Sequence, residues 1–159
     1  MASTHDEQTR AGEVAVARFE SGFSCAEAIV LALAGDGAAG SGASRAAAAF
    51  GGGIARRGGT CGALTGCAIA MGLRCGRTSP QDESRRDLVY RAVDRTFRAF
   101  QERFGTCDCR RLTGLDFSRE NAPEEKARVL RDVCAPAVRF VAERGAAEIA
   151  AAEEARVEP

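Results

Sequence analysis

Helix-forming residues run through almost the whole of this chain. Alanine, arginine and glutamate are abundant and β-branched residues are sparse, a balance that favours helix over strand. A chain of 159 residues fits one domain and can bury a sizeable core without disulfide staples. We therefore predict an all-α fold, a compact single-domain bundle of about five to six helices. The domain is expected to span residues 1–159, with residues 1–7 and 145–159 frayed or loosely packed.

Two predicted helices begin with a cysteine. Ser24 and Glu27 form an S-x-x-E capping box, which places Cys25 in the first turn of a helix. Thr60 follows a glycine-rich turn and is the expected cap of another helix, over residues 61–73, whose first residue is also a cysteine.

Two further long helices are predicted. One starts at Ser79–Asp82, with a cap and a proline in the first turn, and ends at Phe104 before a glycine. The other opens at Pro123 and should be kinked by Pro136, because the proline ring displaces the carbonyl group one turn earlier.

Small residues mark the centre of the predicted bundle. Gly62, Gly66 and Ala70 fall four residues apart and therefore lie on one face of their helix. Each glycine costs roughly 0.8–1 kcal/mol relative to alanine inside a helix. Close packing or a function must offset that cost, so we expect this helix to be central and in close contact with another backbone.

Charge and hydrophobicity disfavour several classes of function. The formal net charge is zero, which gives no indication of a nucleic-acid partner. The first residues lack the apolar core of a secretory signal, and the longest apolar run, residues 26–34, is too short to cross a bilayer. We therefore expect no membrane insertion and a cytoplasmic location. The glycine-rich stretch 51–59 contains neither a P-loop nor a dinucleotide fingerprint.

Seven cysteines accompany a single histidine, His5. Because cytosolic thiols are kept reduced, this density of cysteine indicates a thiol redox centre or a metal site rather than structural disulfides. No C-x-x-C is present, which excludes a thioredoxin-type site. The helix-start positions of Cys25 and Cys61 predict stabilised thiolates with lowered pKa values.

The remaining five cysteines differ in the structure predicted around them. Cys67 and Cys75 fit buried, inert side chains on an apolar helix. Cys107 and Cys109 form a C-x-C, whose disulfide would close a small, strained ring, so metal ligation by one or both is easier. Cys134 lies on an apolar face of the last long helix.

Several of these segments together resemble one known family. They are Ser21–Ala26, Gly59–Gly66, Phe104–Gly105, Cys109–Leu112 and Cys134. This pattern resembles the redox-active C_GCAxxG_C_C family, and the resemblance extends from about residue 12 to about residue 142. Its most specific part is the Cys-Gly-Ala-x-x-Gly element, residues 61–66.

The resemblance implies a small helical protein with four characteristic cysteines, which carry over onto Cys25, Cys61, Cys109 and Cys134. Such proteins look like redox proteins and often accompany transporter genes, so an unidentified redox partner with a transporter association is implied. A similar four-cysteine arrangement in split-Soret cytochromes is linked to non-haem iron.

Two classes of function remain open from the sequence. The first is a redox protein that uses the four cysteines for thiol–disulfide exchange or to bind an iron–sulfur cluster, iron or zinc, with Cys107 as a substitute for Cys109. The second is a non-catalytic helical interaction or adaptor module whose cysteines are structural and buried.

Overall fold

The computed structural model describes residues 4–34 and 42–155. The predicted all-α fold is confirmed: these residues contain no β-strand, and none of their helices is both long and apolar enough to span a membrane. The α-helices are α1 (Thr4–Glu20), α2 (Cys25–Leu33), α3 (Ala43–Ala46), α4 (Gly62–Cys75), α5 (Glu83–Phe104), α6 (Cys109–Thr113), α7 (Pro123–Val129) and α8 (Ala135–Glu154). A 3₁₀ turn (Ala48–Phe50) follows α3, and a π-helical turn (Leu130–Cys134) joins α7 to α8. Helices outnumber those predicted because short ones occur in the loops and the last long helix is interrupted.

Two helix pairs form the centre of the bundle. α1 packs along α8 and α2 packs along α4, while α8 also contacts α4 and α5. The largest side chains of the shared core, all closed to solvent, include Ile29, Leu64, Met71, Phe100 and Val141. Burial of an apolar side chain of this size contributes about 1.5–3 kcal/mol. The core therefore fixes α2 relative to α4, which matters because a cysteine stands at the start of each.

α2 and α4 approach each other closely at two glycines of α4. A Cβ atom added to Gly66 would lie 2.6 Å from the carbonyl oxygen of Ala26. A Cβ atom added to Gly62 would lie 2.7 Å from the sulfur of Cys25. Any side chain at either position would force the two helices apart, so the close approach predicted from the small residues is present.

The C-terminal segment is packed more firmly than predicted. α8 continues to Glu154, and its side chains Ile149 and Ala152 are buried against the core. Gly145, Ile149 and Ala152 are spaced by four and three residues and therefore share one face of α8. α8 packs along α1. The expectation that residues 145–159 are frayed or loosely packed is therefore wrong as far as Glu154.

The N-terminal end, in contrast to the C-terminal segment, is exposed to solvent. Residues 4–7 form the first turn of α1, and their side chains are exposed. Residues 1–3 and 156–159, for which fraying is also predicted, lie outside the described part of the chain.

The long helix α5 ends where the sequence predicts, but it starts at Glu83, after the predicted start at Ser79–Asp82, so Pro80 is not in its first turn. Asp82 is its N-cap, and its Oδ1 atom accepts a hydrogen bond of 3.0 Å from the backbone N–H of Arg85. Gly105 terminates the helix with a φ of +78°, a left-handed conformation that glycine adopts at little cost.

The disruption predicted at Pro136 takes the form of the π turn. Proline has no N–H group and its ring clashes with the carbonyl group of the residue four positions earlier, here Asp132. The preceding N–H, that of Ala135, donates to the carbonyl oxygen of Leu130, five residues back. The helix therefore widens by one residue per turn at the point where it carries Cys134.

Separate alanine substitutions at Gly66 and Gly72 test the close approach of α2 and α4. Gly66→Ala should lower the free energy of unfolding by about 1–3 kcal/mol, because the added methyl group overpacks against the backbone of α2. At Gly72, on the same helix, nothing lies within 4 Å of an added Cβ. Gly72→Ala should therefore raise the free energy of unfolding by about 0.5–1 kcal/mol. Urea denaturation followed by circular dichroism measures both, and equal effects would contradict the close approach.

Candidate functional site

Four of the seven cysteines come together in the fold. The thiols of Cys25, Cys61, Cys109 and Cys134 are near enough for the charge on any one of them to affect the ionisation of the others. They come from four separate segments: the start of α2, the residue before α4, the start of α6 and the end of the π turn. These are the four cysteines for which the sequence predicts a shared site.

Cys25 is positioned by the capping box at the start of α2. The N–H of Ser24 donates to Oε2 of Glu27 at 2.9 Å, and the N–H of Glu27 donates to Oγ of Ser24 at 3.4 Å. Cys25 is therefore the first residue of α2, as predicted. Because Gly62 has no side chain, the Cys25 sulfur lies directly against the start of α4.

A short backbone pairing links the segment around Cys61 to the segment around Cys109. The N–H of Cys61 donates to the carbonyl oxygen of Cys107 at 2.8 Å, and the N–H of Cys109 donates to that of Gly59 at 2.7 Å. The start of α6 is thus fixed against the start of α4, which brings Cys109 to the cluster.

The same pairing corrects one predicted cap. Thr60 does not cap α4, because it is held in an isolated antiparallel bridge with Asp108. Cys61 is itself the N-cap residue, and the helix begins at Gly62. Cys61 therefore lies just before the first turn of α4 rather than within it.

Cys134 is the last residue of the π turn and is half-buried. π-helical turns often occur at functional sites, because the wider turn displaces side chains from a regular helix face. The π turn contacts α6, the helix that begins with Cys109. The interruption of the last helix therefore lies where it brings Cys134 to the other three cysteines.

A left-handed turn next to Cys25 was not predicted from the sequence. Five consecutive residues, Gly52–Arg56, have φ angles between +50° and +72°. Three of them are not glycine, and each of these costs about 1–2 kcal/mol in this conformation. Backbone strain of this kind clusters at functional sites. The glycine run 51–53 is the sequence signal that could have predicted the first left-handed residues. It gives no indication that the left-handed conformation continues to Arg56.

A cavity of about 770 Å³ opens onto the cluster. Cys25, Cys109 and Cys134 line it, whereas Cys61 does not and is only 5% exposed. The rest of the wall comes from the connection between α1 and α2, from the left-handed turn, and from α7 with the π turn. Cys25 and Cys134, both half-buried, are the thiols that a molecule in the cavity reaches most easily.

The other three cysteines lie outside the cluster. Cys67 and Cys75 are buried in the main core, as their predicted packing role requires. The thiol of Cys107 donates to the carbonyl oxygen of Phe97 at 3.7 Å and packs against the core. Of the C-x-C pair, Cys109 and not Cys107 belongs to the cluster.

Comparison with known proteins agrees with this pattern of cysteines. Among the sequence models of protein families, the one described as "Putative redox-active protein (C_GCAxxG_C_C)" matches residues 23–148, a stretch that includes all four clustered cysteines. The chain belongs to this family. No curated protein and no solved structure gives a significant match.

Burial opposes ionisation at the C_GCAxxG_C_C cluster. It raises the pKa of the Cys25 thiol, although backbone N–H groups lower it in part; they are those of Gly52, Cys25, Ala26 and Gly62. Burial also raises the pKa of Cys61 well above its ordinary value. The lowered pKa values predicted for Cys25 and Cys61 are therefore wrong, because the loss of water around the sulfur outweighs the effect of a helix N-terminus.

Repulsion between thiolates adds to the effect of burial. The pKa is raised to about 11 at Cys109 and to about 12 at Cys134, first by burial and then by the charge of Cys25. At Cys61, too, the Cys25 thiolate is the strongest repelling charge. When Cys25 ionises, the other three thiols therefore hold their protons more tightly.

The described side chains show no preformed metal site. Four thiolates are by donor type the ligands of iron–sulfur clusters, iron and zinc. Within residues 4–34 and 42–155, however, no group of three or more cysteine, histidine, aspartate or glutamate side chains is placed so that it could hold a metal ion. The ligand set of Cys25, Cys61, Cys109 and Cys134, with Cys107 as a substitute, therefore stays a prediction.

Alkylation should report the raised pKa of Cys25. Because the thiolate is the reactive form, iodoacetamide should modify Cys25 in the reduced protein more slowly than it modifies a free thiol at about pH 7. The rate should still be rising above a pH of 9.0, the ordinary pKa of a cysteine thiol. Mass spectrometry of the Cys25 peptide measures the rate, with urea-unfolded protein as the control. A rate that levels off near neutral pH would show that the helix N-terminus outweighs burial after all.

Proposed function

We propose that this C_GCAxxG_C_C protein carries out thiol–disulfide exchange, with Cys25 as the attacking sulfur. The observation that carries the proposal is the convergence of four thiols, three of which couple most strongly to the fourth, Cys25. Thiols that were merely buried, as Cys67 is, would have no reason to converge from four separate segments on one cluster beside a cavity.

Cys25 suits the attacking role for two reasons. It lines the cavity and is half-buried, so a substrate sulfur can reach it. Four backbone N–H groups also stabilise its thiolate, more than act on any other cysteine of the cluster. Cys109 or Cys134, which line the same cavity, is the proposed resolving thiol, and Cys61 is the buried fourth member.

The proposed reaction transfers two electrons from the protein to a substrate disulfide. The Cys25 thiolate attacks one substrate sulfur, the substrate S–S bond breaks, and the first substrate thiolate leaves and takes a proton. The thiol of Cys109 or Cys134 then loses its proton and attacks the Cys25 sulfur. The second substrate thiol leaves, and the protein retains an internal disulfide. An external dithiol reverses these steps and restores the reduced protein.

Burial favours a low reduction potential. Strongly oxidising thiol proteins owe their potential to a stabilised thiolate in the reduced form. In this cluster burial destabilises the thiolate, so the reduced form has no such advantage. A protein of this kind would remain reduced only in a reducing compartment, and a cytoplasmic location is therefore part of the proposal.

A redox titration tests thiol–disulfide exchange. In dithiothreitol buffers of graded potential, an internal disulfide that includes Cys25 should form with a midpoint at or below about −270 mV, the value of thioredoxin. Cys25→Ala should abolish this transition. Cys67→Ala is the matched control and should retain it, because Cys67 lies in the core outside the cluster. Non-reducing mass spectrometry identifies the linked peptides at each potential.

Two results would contradict the proposal. A folded protein that forms no disulfide at any potential would favour the helical interaction module with structural, buried cysteines. Stoichiometric iron or zinc in protein purified without oxygen would favour a metal centre instead, and would show that the cysteines move together when the metal binds.

A further inference from the structure

We propose that the four clustered cysteines work as two dithiol pairs, Cys25 with Cys61 and Cys109 with Cys134. One chain then reduces two substrate disulfides, and so delivers four electrons, before it must be reduced again. The inference rests on the thiol–disulfide exchange proposed above, which needs only one internal disulfide, and it gives Cys61 a role in the reaction. It is carried by the contacts that place each cysteine next to its partner.

The first pair is positioned by the close approach of α2 and α4. The sulfur of Cys25 lies 2.7 Å from the position that a Cβ atom on Gly62 would take, and Gly62 directly follows Cys61 in the chain. Consecutive Cα atoms are about 3.8 Å apart. Cys25 therefore lies beside Cys61 across the contact between the two helix starts.

The second pair is positioned by the contact between α6 and the π turn. α6 begins with Cys109, the π turn ends with Cys134, and the two elements pack against each other. Both cysteines line the cavity. A thiolate at Cys109 raises the pKa of Cys134, as expected of two sulfur atoms that lie near each other.

The two pairs are also close enough to each other to exchange disulfides. A thiolate at Cys25 raises the pKa of both Cys109 and Cys134. A thiolate at any of these three raises the pKa of Cys61. Each clustered thiol therefore has the other three as neighbours, and a disulfide that forms at the cavity can pass to Cys61 by internal exchange.

Cys61 is placed to store a disulfide rather than to meet a substrate. It is only 5% exposed and does not line the cavity, so a molecule in the cavity reaches the other three cysteines instead. A disulfide moved to Cys25 and Cys61 leaves Cys109 and Cys134 free to react at the cavity wall.

The internal exchange starts from the disulfide between Cys25 and either Cys109 or Cys134. The Cys61 thiol loses its proton and attacks the Cys25 sulfur. The existing internal S–S bond breaks, and the released cysteine leaves as a thiolate and takes a proton. The disulfide now joins Cys25 to Cys61, no electrons have left the protein, and both thiols of the second pair are reduced.

The second pair then reduces a second substrate disulfide. Cys134, its half-buried member, attacks one substrate sulfur as a thiolate, the substrate S–S bond breaks, and the first substrate thiolate leaves and takes a proton. The Cys109 thiol loses its proton and attacks the Cys134 sulfur, and the second substrate thiolate leaves with that proton. Two substrate disulfides have become four thiols, and two equivalents of an external dithiol restore the reduced chain.

Disulfide mapping of the fully oxidised full-length chain tests the two pairs. The protein is equilibrated with excess oxidised dithiothreitol, quenched in acid, unfolded, alkylated and digested with trypsin. Trypsin cuts after arginine and lysine and places each clustered cysteine on a separate peptide, so mass spectrometry identifies each linkage. The Cys25 peptide should be linked to the Cys61 peptide, and the Cys109 peptide to the Cys134 peptide.

Replacement of Cys61 tests its role in storage. Cys61→Ala should halve the number of internal disulfides at full oxidation, from two to one, because no thiol then takes over the disulfide of Cys25. Cys67→Ala is the matched control and should retain both disulfides. Cys67 is buried on the same helix, but its sulfur contacts Thr96 and lies against Gly145.

Cys134→Ala keeps the test decisive if Cys61→Ala fails to fold, because Cys134 is half-buried at the cavity rather than in the core. This variant should lose the second disulfide and still form the linkage between Cys25 and Cys61. A variant that linked Cys25 only to Cys109 would overturn the role of Cys61.

The outcomes separate this inference from the proposed function. A single internal disulfide in the unaltered, fully oxidised chain would overturn the two pairs, and so would two disulfides with other linkages, while thiol–disulfide exchange would stand. If no internal disulfide formed, both the inference and the proposed function would fall.

Discussion

The close approach of α2 and α4 is the constraint on which the cysteine cluster depends. Gly66 lets the two backbones meet, and Gly62 leaves room for the sulfur of Cys25 against the start of α4. With a side chain at either position, α2 would lie farther from α4, and Cys25 would lie farther from Cys61. Each glycine weakens the isolated helix by about 1 kcal/mol, a cost that the packing of the core offsets.

Burial, rather than helix position, decides the chemistry of the cluster. A charge at a helix N-terminus gains about 0.3–1 kcal/mol, which is less than one pKa unit. Complete burial of an ionisable group can shift its pKa by 3–5 units in the opposite direction. At Cys25 and Cys61 the effect of burial is the larger one, so the pKa of each thiol is raised. The thiols therefore stay protonated at rest, and exchange depends on the small fraction of Cys25 that ionises.

The sequence predicts the features that depend on local signals. The capping box at Ser24, the end of α5 at Gly105 and the small face of α4 are all readable within one or two helix turns. It misses what depends on tertiary contacts. The bridge that holds Thr60 away from its predicted cap, and the packing of α8 as far as Glu154, both require partners remote in the chain. The ionisation of the thiols was missed for the same reason, since burial is a property of the whole fold.

The exposure of each clustered cysteine depends on whether the backbone around it is regular or irregular. Cys61 and Cys109 flank an ordered backbone pairing and are each only 5% exposed. Cys25 lies against the left-handed turn, Cys134 ends the π turn, and both remain half-buried at the cavity. In a bundle built only of regular helices in contact, side chains would fill the cavity that Cys25 and Cys134 line. The strained turn and the widened helix therefore explain why Cys25 and Cys134 are more exposed to a molecule from outside than Cys61 and Cys109.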